Sequence, residues 1–143
     1  MNLSATNGSF QLSIRGYGID PANWRDRNRL RCEVAVRWLK KQDSQPAPLQ
    51  TWEIHRLIDN LQSLRDRLTS YVALTFAEPG LSFDVTALPD DSYQVHIQLD
   101  QSLKPAWHTY PDFPFELTLQ LNRLQLQEAI RDLTRQLASY PER

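Results

Sequence analysis

Side-chain alternation with a period of two is the feature that most constrains this chain. It is clearest in Leu74-Thr75-Phe76-Ala77-Glu78-Pro79-Gly80-Leu81-Ser82-Phe83-Asp84-Val85. Leu81, Phe83 and Val85 alternate with Ser82 and Asp84. On the other side Val72, Leu74 and Phe76 alternate with Ala73, Thr75 and Ala77. Successive side chains of a strand point to opposite faces, so each run buries one face and wets the other. Pro79-Gly80 is turn chemistry, because proline presets φ to about −65° and glycine accepts a positive φ. The stretch therefore reads as a β-hairpin in the middle of an antiparallel sheet.

The same alternation recurs at Phe10, Leu12 and Ile14, and at Leu30, Cys32, Val34, Val36 and Trp38, where five even positions are expected to face inward. It appears again at Tyr93, Val95, Ile97 and Leu99, and from Phe113 to Leu121 in odd positions. In that last strand Pro114 lacks a ladder amide, so the strand begins at an edge or Pro114 points its nitrogen outward. Two segments change to helical spacing. Ile54, Leu57, Ile58, Leu61, Leu64 and Leu68 follow Thr51, which can cap them, and Leu126, Ala129, Ile130, Leu133 and Leu137 follow a capping box at Asn122 and Gln125. The polar, proline-rich residues 40–48 read as a loop, and residues 1–8 as a flexible terminus. The expectation is one α+β domain over residues 1–143. It has an antiparallel sheet of about six strands with two helices packed on it, in the order β-β-α-β-β-β-β-α. A chain of 143 residues can bury about two-thirds of its unfolded surface, enough for a core without staples.

Chemistry-bearing residues are sparse. The lone cysteine, Cys32, sits on the apolar face of its strand and reads as a small core residue. No two of Cys32, His55, His96 and His108 have zinc-ligand spacing, and the four glycines form no phosphate loop. No metal, cofactor or catalytic set is expected. The nearest approach to one is Glu78 with His96 and His108, and an outward Asp–His pair on a sheet reads as a cross-strand surface contact. Arg25, Arg27, Arg29 and Arg31 fall on alternate residues near Trp24 and Trp38. Asp20, Asp26 and Glu33 interrupt that field and net charge is −1, so it reads as a solvated strand face and not a nucleic-acid site. Charge is nevertheless uneven. Residues 1–71 hold 11 Lys and Arg against 7 Asp and Glu, and residues 72–143 hold 5 against 10. No apolar run approaches the ~20 residues that span a bilayer, and no signal peptide opens the chain, so a soluble cytoplasmic protein is expected. Residues 101–112 are an aromatic, proline-rich connection in which Trp107 is either a plug under the loop or an anchor for a partner.

Five stretches lie in the order seen in the WapI family. They are Asp26-Arg27-Asn28-Arg29-Leu30-Arg31-Cys32-Glu33-Val34, Leu49-Gln50-Thr51-Trp52-Glu53-Ile54, Phe76-Ala77-Glu78-Pro79-Gly80-Leu81-Ser82-Phe83, Leu103-Lys104-Pro105-Ala106-Trp107, and the helix end from Leu133 to Arg143. On these the chain resembles that family, whose members are named for the cytosolic immunity partner of contact-dependent tRNase toxins. The resemblance implies an antiparallel sheet with two helices, no catalysis, and a cognate toxin domain as partner. The expected contacts are the carboxylates Glu78, Asp84, Asp90 and Asp91 with Trp107 as aromatic anchor. The alternative is a small-ligand-binding or regulatory module with its ligand under residues 101–112. The sequence carries no signal for oligomeric state.

Overall fold

Ten elements account for the described residues, 1–18, 27–76 and 80–143 of a computed structural model. The strands are β1 (Asn2–Ala5), β2 (Gly8–Tyr17), β3 (Arg29–Trp38), β4 (Lys41–Gln50), β5 (Tyr71–Thr75), β6 (Leu81–Ala87), β7 (Ser92–Leu99) and β8 (Phe115–Asn122). The helices are α1 (Thr51–Arg65), between β4 and β5, and α2 (Arg123–Ala138), after β8; a 3-10 turn at Gln101–Leu103 follows β7.

The strands form two four-stranded antiparallel sheets, β1-β2-β3-β4 and β5-β6-β7-β8. This corrects the single sheet of about six strands and the order β-β-α-β-β-β-β-α: the chain runs β-β-β-β-α-β-β-β-β-α. Both additional strands lie in the first half. Residues 2–5 are not a flexible end. They pair with β2, and Met1 and Leu3 are buried. Residues 41–50 are not a loop. They pair along the whole of β3 through a two-residue turn, Leu39-Lys40, with Leu39 at φ 55°. Only Ala47 and Leu49 of β4 are fully buried, which is why its sequence hides the strand. Pro46 and Pro48 have no N–H to offer, so β4 ends the sheet with an edge poorly suited to further pairing.

The apolar faces of both sheets and the stripes of both helices share one contiguous core. The sheets meet face to face at Phe10 and Phe83, whose rings lie edge-on with centroids 5.3 Å apart. Strand β1 runs beside β8, where Asn7 Nδ2 donates to Thr118 O at 3.0 Å. Helix α1 touches β4 and β5, and α2 touches strands of both sheets. The expected box at Asn122 and Gln125 caps α2. Helix α1 is capped one residue earlier than expected, by Gln50 with Glu53, while Thr51 Oγ1 donates to Asn28 O at 2.8 Å. Such caps are worth about 1 kcal/mol each.

Candidate functional site

Asp84 lies on a strand face and Asp90 and Asp91 at a turn, and each of these three described carboxylates is already engaged. Asp84 is on the outward face of β6 opposite His96, and the Tyr71 hydroxyl donates to its Oδ1 at 3.2 Å. That bond holds the Tyr71 phenol above its ordinary pKa. Asp90 accepts from the Ser92 hydroxyl, which holds its carboxyl below the usual range. Asp91, at φ 62°, ion-pairs with Arg67, itself at φ 59°. Glu78 lies outside the described residues. Asp90 and Asp91 thus sit at the Ser92 end of β7. Trp107 packs edge-on to Phe115, centroids 5.7 Å apart, and Phe115 pairs with Leu99 at the other end of β7. From Ser92 to Leu99 is about 23 Å at ~3.3 Å per residue, so the structure does not bring Trp107 and these two carboxylates together.

The imidazoles are likewise occupied separately. His96 Nδ1 lies 2.9 Å from Thr118 Oγ1 and its Nε2 lies 3.5 Å from Glu116 Oε1. His108 Nε2 donates to Phe113 O at 2.9 Å, because a carbonyl can only accept. Burial, and then the Glu53 carboxylate, push the Cys32 thiol up to about 12, so it is not a nucleophile at neutral pH. Among the described residues no cluster of His, Cys, Asp and Glu is placed to hold a metal, and no helix is long and apolar enough to cross a membrane. Arg31, of the arginine ladder, donates from Nε to Tyr17 O at 3.0 Å, and Arg25 and Trp24 lie outside the described residues. Beneath residues 101–112, Leu103 is buried and Trp107 is half-buried against the core.

What sequence reasoning missed is an aromatic surface at the Leu99 end of β7. Trp38, expected to face inward as the fifth residue of its apolar series, is 37% exposed, next to Leu39 at 60%; across from them Tyr110 and Phe113 are each 65% exposed. Phe115 joins the two sides. Its ring is 6.4 Å from Trp38 and 5.8 Å from His108, and His108 is 5.6 Å from Tyr110. The available signal was the run Trp38-Leu39, two large apolar residues in succession, which breaks the alternation.

The immunity protein WapI-like family matches residues 2–141. The chain belongs to that family. No curated protein matches it. Family membership makes this an immunity-type protein, a binder of a cognate toxin and not an enzyme. For such a protein the functional site is a surface, and its quality is judged by what stands exposed and held in place.

Proposed function

We propose that the chain acts in the cytoplasm as a single folded unit, residues 1–143, and neutralises its toxin by covering the toxin's active site. Neutralisation then follows mass action, the free toxin falling as the complex forms. The observation that carries the reading is the family match over nearly the whole length. Glu78, Asp84, Asp90, Asp91 and Trp107 are the proposed contacts from the sequence. The separation of Asp90 and Asp91 from Trp107 along β7 means that a compact interface uses one end of the second sheet or the other.

The test is co-expression with any toxin domain found encoded beside the gene for this chain. Restored growth together with a stable complex on purification is expected. Cells that die as fast with the chain as without it, and a toxin domain that elutes alone, would remove the proposal.

A further inference from the structure

We infer that the open edge of β5 docks the toxin by strand addition: an extended segment of the toxin pairs antiparallel with Ala73 and Thr75 and carries a lysine or arginine across from Ala73. The inference rests on the immunity reading and specifies which part of the surface binds and what it binds.

The register decides which backbone groups of β5 are spare. Phe76 N donates to Leu81 O and Ala87 N to Ser70 O, so the even-numbered residues of β5 bond to β6. The odd-numbered residues Tyr71, Ala73 and Thr75 aim their N–H and C=O away from the sheet, and all three are exposed. The Tyr71 N–H and C=O are both taken by the Thr69 hydroxyl, and Thr75 O accepts from Arg56 Nη2 at 2.9 Å. The Ala73 N–H, the Ala73 C=O and the Thr75 N–H have no partner among the described residues. The remaining edges are less open: β4 carries Pro46 and Pro48, and β1 lies against β8. A spare donor, acceptor and donor in succession along a strand are matched by the backbone of another extended chain.

Charge names the occupant. No lysine or arginine occurs in any strand of the second sheet. Asp84 pairs with Ala73 across β5 and β6. Its bond comes from the Tyr71 hydroxyl, a neutral donor that leaves the carboxylate charged, and no cation among the described residues pairs with it. His96, its neighbour on β7, is turned to Thr118 and Glu116. The Arg56 guanidinium lies 6.0 Å from the centre of the buried Phe76 ring, on the inward side of the chain. An antiparallel partner residue that exchanges both bonds with Ala73 sits two strand spacings, about 9.6 Å, from Asp84. A lysine or arginine at that position reaches the carboxylate over the small Ala73 methyl. A second copy of the chain offers only Tyr71, Ala73 or Thr75 across from Ala73, none of them a cation. Such a pairing also needs backbone groups of Tyr71 or Thr75 that are already engaged.

The experiment measures binding of an inactivated toxin domain, any found encoded beside the gene, by surface-immobilised kinetics, with amide hydrogen exchange on the free and the bound chain. Ala73→Pro removes an outward N–H and leaves the Val72 and Leu74 bonds to β6 in place. Its affinity is expected to fall about 100-fold, mostly through faster dissociation, at a melting temperature near that of wild type. Asp84→Asn keeps an oxygen for the Tyr71 hydroxyl and removes the charge, and is expected to slow association about fivefold at low salt. In the wild-type complex the Ala73 and Thr75 amides are expected to exchange about tenfold more slowly than in the free chain, a readout that needs no variant to fold. Affinity of a folded Ala73→Pro within about threefold of wild type, unprotected Ala73 and Thr75 amides in the complex, or unchanged kinetics in Asp84→Asn would overturn the inference and leave the immunity reading standing. No binding by the wild-type chain would overturn both. A dimer of the chain alone, abolished by Ala73→Pro, would assign the edge to a second copy and overturn the inference as well.

Discussion

Replacing Phe83 by alanine should cost about 4 kcal/mol of stability, and the reason is specific to where the two sheets meet. The side chain is buried, lies edge-on to Phe10 at 5.3 Å and to Phe76 at 6.0 Å, and helps line a small apolar void with Leu57 of α1 and Leu126 of α2. That void is lined only by apolar side chains, which offer an ordered water no partners, so a truncated side chain leaves an empty space. Phe→Ala at such sites costs about 3–5 kcal/mol, or roughly 12 °C in Tm at ~3 °C per kcal/mol for a chain of this size. Urea unfolding followed by tryptophan fluorescence measures it. The midpoint should fall by about 2 M with an unchanged slope of ~2 kcal/mol/M. A double-mutant cycle with Phe10→Leu and Phe83→Leu isolates the contact, and a coupling of about 1 kcal/mol is expected for an edge-on aromatic pair. A cost below about 1.5 kcal/mol for Phe83→Ala, or perfect additivity in the cycle, would refute the packing of one sheet on the other at this point.

Asp132 should carry acid sensitivity. Burial alone would raise its carboxyl, but the Met1 ammonium at 2.6 Å, with Gln136 and Arg135, lowers it on balance. A pKa below the unfolded value of about 3.9 stabilises the fold above that pH, and the contribution is lost as pH falls through the folded value. Asp132→Asn should therefore cost about 1–3 kcal/mol at pH 7, and the gap from wild type in urea melts should narrow as pH falls below the ordinary carboxylate value of about 3.9. Cys32 should resist a disulfide reagent at pH 8 in the native protein and react at once in denaturant, since its thiol is pushed up to about 12; fast native labelling would contradict its placement. Gly80→Ala should cost about 2 kcal/mol, because Gly80 has φ 116° and an added Cβ would meet Asp100 O at 2.5 Å. An unchanged thermal melt would contradict that geometry.

The legible parts of the fold were those where one face is buried along a whole element. The alternation at Leu30, Cys32, Val34 and Val36, and the three- and four-residue spacing from Ile54 to Leu64, correspond to buried faces of β3 and α1. Strand β4 was not legible because Lys41-Gln42-Asp43-Ser44-Gln45-Pro46 has almost no apolar side chain to bury. Backbone pairing with β3 holds it, entered through a turn without the usual glycine or asparagine. Strand β1 is too short to show a period and depends on Phe10 opposite Leu3. The division into two sheets was hidden for another reason: periodicity assigns a face to each strand but says nothing about its neighbours. For the site, Trp107 was read from the sequence as plug or anchor, and the structure makes it the half-buried support of Phe115. The exposed residues beside it, Tyr110 and Phe113, depend on how the loop runs past β4, where Ala106 N donates to Asp43 across a long stretch of sequence.

Titrating the purified toxin domain's activity with this chain tests the central claim most directly. A binder that covers the toxin's active site removes activity in linear proportion until one chain is present per toxin, and activity returns when the complex dissociates. Lasting inactivation of many toxin molecules by one chain, or full toxin activity at a large excess of the chain, would contradict the account.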